Sequence, residues 1–262
     1  MGVELELSFK DLLTKNKLSE YKTRNERVSL FKNNFIVDLK EKSEEDKIII
    51  SESFFNKIPL GIIPRENQSK LKVKVFNKAN TTNDYLKKNI NVVIVLESPH
   101  KDEYDKNMNP KAPAQGTTGR NLFGMKRKIK RLLNLIYNTK ENYNFIIINP
   151  VPYQTSLHYL YVNEPKELNK KLRDKVWYKL WKDERIDCQN EFISELKSLN
   201  PKYILNCCTK KFKKEINEKL RKGMDKKIKY KILQLPHPCT DAFVESLKCG
   251  VNFLNIKANH KN

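Results

Sequence analysis

Four short apolar runs, each closed by a polar residue and a turn signal, set the tightest limit on what this chain can fold into. Asn91-Val92-Val93-Ile94-Val95-Leu96 runs into Ser98-Pro99, and Phe145-Ile146-Ile147-Ile148 runs into Asn149-Pro150. Tyr203-Ile204-Leu205 precedes Asn206-Cys207-Cys208-Thr209, and Tyr230-Lys231-Ile232-Leu233-Gln234-Leu235 precedes Pro236-His237-Pro238. Runs that are apolar at consecutive positions and rich in β-branched residues read as strands buried on both faces. Helical stretches separate them, from about Asn121 to Tyr137, Cys188 to Leu199 and Lys210 to Arg221. Strands alternating with helices predict an α/β fold. The expected form is three α/β/α layers around a central, mainly parallel sheet of about four strands.

Residues 1–88 carry no chemical motif. They read as a mostly helical extension, with Lys47-Ile48-Ile49-Ile50 as one short strand. The loop-rich run Asn80-Thr81-Thr82-Asn83-Asp84 marks its end. Residues 89–262 are expected to form the catalytic domain.

In open parallel sheets, ligands bind outside the carboxyl ends of the strands. Those ends bring together a carboxylate (Glu97), an amide (Asn149), small polar residues and an imidazole (His237). A carboxylate just past a buried strand can orient or deprotonate a water, although a helix cap or a surface ion pair explains it as well. Pro113-Ala114-Gln115-Gly116-Thr117-Thr118-Gly119-Arg120 places two glycines before a helix, where backbone N–H groups can hold a phosphate. An ordinary helix start has the same look. Asn149 can read a base edge at two points or simply form a turn before Pro150. His237, between two prolines, can stabilise a departing anion or be a partly buried loop histidine.

Charge narrows the partner. The chain carries 52 Lys+Arg against 31 Asp+Glu, a net +21. An AT-rich genome enriches Lys and Asn, but that bias raises Asp and Glu too and leaves the imbalance unexplained. Basic clusters lie at residues 126–131 and 210–214. Each alone is an ordinary solvated helix face. With the total charge they favour a nucleic acid over a membrane surface. No run approaches the roughly 20 apolar residues of a membrane span, and no signal-peptide pattern is present at the start, so a cytoplasmic protein is expected. The five cysteines, at 188, 207, 208, 239 and 249, show no C-x-x-C spacing. They read as reduced, mostly buried thiols with no metal site.

Taken in order, these motifs resemble those of the uracil-DNA glycosylase superfamily. Its thermophile-type branch has Gly-Glu-Ala-Pro-Gly at a strand end. There follow Gly-x-Pro-Phe-x-Gly-x-x-Gly-x-x-Leu, a strand ending in Asn, Pro-x-x-Ile-(apolar) and a final His-Pro. The corresponding residues here are Leu96-Glu97-Ser98-Pro99-His100, then Pro113, Gly116, Gly119 and Leu122. Asn149, Pro201-Lys202-Tyr203-Ile204-Leu205 and His237-Pro238 follow. The match covers roughly residues 90–245.

The resemblance implies a DNA glycosylase that flips a base out of the helix and hydrolyses its bond to the sugar, with no cofactor and no metal. Glu97 then matches the acidic residue that positions water, and His237 the stabiliser of the leaving base. Asn149 matches the residue that reads the base, beside Ser98 and Pro99. Gly116, Thr117, Thr118 and Gly119, with His100, Pro238 and Thr240, match loops that hold DNA. Three departures bear on the substrate. Both glycines of the first motif are replaced, by Leu96 and His100. The cluster-binding cysteines of the branch are missing. The phenylalanine that stacks on uracil becomes Ala114, next to Gln115, and stacking of this kind is worth about 1–3 kcal/mol per base. Either Tyr104 or Tyr153 supplies the ring, or the pocket takes a larger base. Some members of the superfamily remove hypermodified pyrimidines from phage DNA in bacterial defence. Removal of a bulky base such as glucosylated hydroxymethylcytosine is therefore the favoured expectation. Uracil repair and a non-cutting DNA-binding module are the alternatives.

Overall fold

The computed structural model describes residues 5–8, 47–50, 59–63, 74–75, 89–105, 110–153, 155, 166–184, 186–224 and 231–248. Its strands are β1 (Leu5–Ser8), β2 (Lys47–Ile50), β3 (Gly61–Ile62), β4 (Lys74–Val75), β5 (Ile90–Val95), β6 (Tyr143–Ile148), β7 (Tyr203–Asn206) and β8 (Ile232–Gln234). The helices are α1 (Thr117–Tyr137), α2 (Lys166–Lys182), α3 (Cys188–Leu199) and α4 (Lys210–Gly223), and residues 241–248 are also helical.

The core is a six-stranded sheet in the order β4-β3-β6-β5-β7-β8. β6, β5, β7 and β8 are mutually parallel, the four strands read from the apolar runs. β3 and β4 add an antiparallel edge beside β6, so the sheet exceeds the expected four strands. The extra pair comes from the stretch before residue 89. The described residues of that stretch are strands and connecting backbone rather than helix, and β1 pairs antiparallel with β2. The rest of the expected helical extension lies outside the described residues.

The alternation of side chains along each strand builds two cores. Val93, Val95, Ile146, Ile148 and Ile204 face α2, α3 and α4. Val92, Ile94, Phe145, Ile147 and Leu205 face α1 and the 241–248 helix. Helices therefore cover both faces, giving three α/β/α layers. Adjacent Cys207 and Cys208 enter opposite cores, as the period of two requires. On the α2 side Trp177 stacks between Trp181 and Phe212, with ring centroids at 5.3 and 4.2 Å. Asn138 and Asn200 end α1 and α3 in the left-handed conformation that asparagine tolerates.

In the parallel set β5 is central. The chain leaves it through α1 to β6 on one side, then crosses the other face to reach β7 on the opposite side. The gap between β5 and β7 is thus the topological switch point, the place where such sheets open a crevice.

Candidate active site

Glu97 lies two residues past β5, at that switch point, and is buried. Its Oε2 accepts the backbone N–H of Thr209 at 3.0 Å. Thr209 is the N-cap of α4 and follows β7, so the carboxylate bridges the two strands whose connections diverge. It also sits at the positive end of a helix, where negative charge is favoured. Oε1 lies 3.3 Å from Nη1 of Arg173 on α2. The Glu97 carbonyl accepts the indole N–H of Trp177 at 2.9 Å. The backbone and both carboxylate oxygens of Glu97 are all anchored.

His237, beyond β8, is half-buried. Its Nδ1 accepts the backbone N–H of Cys239 at 3.3 Å, with the Cys239 Sγ at 3.0 Å. In the neutral ring the proton therefore sits on Nε2. Burial pushes the imidazole below its usual range. Arg173 and Lys213 add to that, and the Glu97 charge opposes it. Near neutral pH the ring is an uncharged donor through Nε2. The Lys213 ammonium donates to the Leu235 carbonyl at 2.6 Å and ties α4 to the segment entering His237.

The glycine-bearing loop joins the same region. Asn121 Nδ2 donates to the Pro238 carbonyl at 2.6 Å, which fastens the first turn of α1 to the His237 loop. At Gly116 a Cβ would come 3.0 Å from Oδ2 of Asp102, the end of a half-exposed side chain on the segment after β5. Gly119 is buried in the first turn, Thr117 is exposed and Thr118 is half-buried. Arg120 donates to Thr117 Oγ1 at 3.0 Å. Thr240 caps its own turn by donating to the His237 carbonyl at 2.7 Å. His100 is exposed, with Nδ1 3.4 Å from Asp102 Oδ2. Ser98 is committed to Thr155, Oγ to Oγ1 2.8 Å, a clasp between the loops after β5 and β6. Pro99 is buried between these anchors.

Among the described residues, three buried side-chain atoms have no protein partner: Asn149 Oδ1, Thr209 Oγ1 and Glu103 Oε2. All three belong to segments leaving the carboxyl ends of β6, β7 and β5. Buried polar atoms are nearly always paired, and an orphan costs about 1–3 kcal/mol. Three at one sheet edge fit groups reserved for a ligand. Asn149 was legible in the sequence. Glu103, three residues past the first motif, carried no signal of burial. Burial pushes its carboxyl up to about 8, against the backbone N–H groups of Ala114 and His100, which lower it.

Ala114 corrects one expectation. It is 2% exposed and belongs to the core beneath α1, so exchanging a ring for a methyl there opens no space at the surface. Its backbone is left-handed, φ 55°, a conformation that costs a non-glycine residue of order 1 kcal/mol. Gln115 turns back on the loop, its amide donating to the Pro113 carbonyl at 3.2 Å. Tyr104 and Tyr153 are both buried, and Tyr153 packs into the core on the α2 side. Neither presents an exposed ring for stacking.

A cleft of about 590 Å³ lies elsewhere, among α2, α3 and α4, lined by Trp181, Gln189, Ser194, Glu215 and Lys219. It holds none of the strand-end residues, and the convergence of anchored and orphaned groups makes the β5–β7 edge the better candidate. Among the described residues no group of three or more His, Cys, Asp or Glu is placed to hold a metal, and no helix is long and apolar enough to cross a membrane. Compared with family models, curated proteins and solved structures, the chain has no match.

Proposed function

We propose that this chain is a DNA glycosylase of the uracil-DNA glycosylase superfamily, hydrolysing the bond between a flipped base and its sugar. The observation that carries this reading is an anchored carboxylate at the switch point whose charge reaches the neutral imidazole on the loop beyond β8, with three buried polar atoms unpartnered in the segments that leave β5, β6 and β7. N-glycosidic hydrolysis asks for those groups. As the C1′–N bond breaks, its electron pair leaves with the base and the sugar becomes cationic. Glu97 supplies fixed negative charge to that cation, and His237 Nε2–H donates to the developing anion on the base. Water then adds to C1′ and loses a proton, the base gains one, and an abasic site remains. On this reading Asn149 would hydrogen-bond the base by its amide, and Glu103 by its O–H while the carboxyl is protonated.

The favoured substrate is a pyrimidine with a bulky polar substituent, such as glucosylated hydroxymethylcytosine in phage DNA. Support comes from the unpaired buried polar atoms at the strand ends, which offer more hydrogen-bonding groups than a plain pyrimidine uses. Base release from DNA containing uracil, hydroxymethylcytosine, glucosylated hydroxymethylcytosine or unmodified bases tests this. Release of the glucosylated base is expected, with Glu97→Ala about 10²–10³-fold slower. Release of uracil alone would make the chain a repair enzyme.

One observation favours a non-cutting DNA-binding module instead. Both Glu97 oxygens already have protein donors, as in a structural ion pair. Tight DNA binding without release of any base would establish that reading.

A further inference from the structure

α2 delivers a cation to the site from a segment that carries none of the strand-end motifs. Arg173 donates through Nε and Nη2 to Asp174 Oδ1, at 3.1 and 2.6 Å, leaving Nη1 3.3 Å from Glu97 Oε1. Side chains one residue apart on a helix do not naturally face each other, so the guanidinium has to fold back across the helix to make this fork. Two further contacts hold it there. Lys211 Nζ lies 2.7 Å from the second Asp174 oxygen, and the guanidinium stands 5.6 Å over the Phe212 ring.

The setting distinguishes this cluster from a surface ion pair. The Glu97 and Asp174 side chains are 8% and 5% exposed, and buried carboxylates without partners are costly. Two carboxylates face one guanidinium and one ammonium, so the cluster is neutral as a unit. Among the described residues, Asp174 accepts from Arg173 and pairs with Lys211. Their geometry serves to aim Arg173.

We infer that Arg173 is a positioning residue for Glu97, aimed by Asp174 and Lys211, and that it fixes the carboxylate as a stationary charge beside the reacting sugar. This rests on the glycosylase reading of the same site. With Thr209 N–H on one oxygen and Arg173 on the other, Glu97 cannot rotate as charge develops. A charge already in place requires no reorganisation in the transition state.

The test is single-turnover base release by the full chain, using the best substrate of the panel. Arg173→Ala and Arg173→Lys are each made with Glu97 intact and in a Glu97→Gln background. Circular dichroism and thermal melts establish that each variant is folded. Arg173→Ala is expected to slow release about 10- to 100-fold with DNA affinity and its salt dependence unchanged, and Arg173→Lys to recover part of the rate. In the Glu97→Gln background the same change should cost less than about 3-fold, because coupled residues are not additive. A full loss that persists in that background, or a loss of DNA affinity with a shallower salt slope, would overturn the inference and make Arg173 a phosphate contact. If the wild-type chain releases no base, the glycosylase reading fails by itself. The Arg173–Glu97 coupling is then read from the melting temperatures of wild type, Glu97→Gln, Arg173→Ala and the double variant, where additive shifts reject the positioning role and non-additive shifts keep it.

Discussion

Glu103 shows how a single carboxyl links stability to pH in this molecule. Its folded-state pKa, raised from 4.5 to about 8 by burial, means the folded chain holds a proton that the unfolded chain has released between those values. The stability it contributes is complete below about pH 4.5 and is lost as pH rises through 8. Glu103→Gln keeps the shape and removes the titration. Thermal melts should show the variant more stable than wild type by on the order of 1–3 kcal/mol at pH 9 and nearly equal to it at pH 5. A constant difference across that range would reject the assignment. At the Cys239–His237 contact, Cys239→Ser should leave base release within about 3-fold, because the backbone N–H of Cys239 already sets the imidazole proton on Nε2. Glu97, Asn149 and His237 could be named from the sequence because Glu97 and Asn149 directly follow apolar runs and His237 follows one by a single proline. Arg173, Thr209 and Glu103 could not be given their roles. What defines them is a contact across the fold or a depth of burial, and neither leaves a trace in neighbouring residues.

At the scale of elements, the parallel strands and the helices that follow them were legible because both their faces are buried, which forces continuous apolar runs. α3 was read at its observed limits, Cys188–Leu199. β3 and β4 were not read, since two residues each are too short for any period to register. α2 was missed for a different reason. Its sequence, KELNKKLRDKVWYKLWK, spreads lysines along its whole length, and its apolar positions are partly aromatic rather than aliphatic. Yet α2 supplies Trp177, which is fully buried, stacked on both faces and bonded to the Glu97 carbonyl. Trp177→Ala should destabilise the fold by about 3–5 kcal/mol in chemical denaturation. Trp177→Phe should lose less, keeping much of the packing but not the indole hydrogen bond. The Asn121 bond to Pro238 can be probed the same way. Asn121→Ala should cost about 1 kcal/mol of stability and a larger share of base release, because it separates the start of α1 from the His237 loop.

Taken whole, the molecule is strongly basic, and the charge was plain from the sequence while its placement was not. On α1, Lys126 and Lys130 are partly spent on the fold, donating to the Ile63 carbonyl and to Asn142. On α4, Lys210 and Lys214 are exposed near the helix start, beside the Thr209–Glu97 contact. Affinity for duplex DNA should fall steeply with salt, and Lys210→Glu with Lys214→Glu should weaken binding and flatten the slope by about 2. An unchanged slope would place the DNA on another face. The central position of β5 has a further consequence. Glu97 and His237 stand on opposite sides of the α3–β7 connection, and Thr209 stands with His237. A chain cut between α3 and β7 would put the carboxylate on one fragment and its imidazole partner and helix cap on the other. If the proposed glycosylase reading holds, neither half would release a base alone, and release would return only when the two halves reassociate.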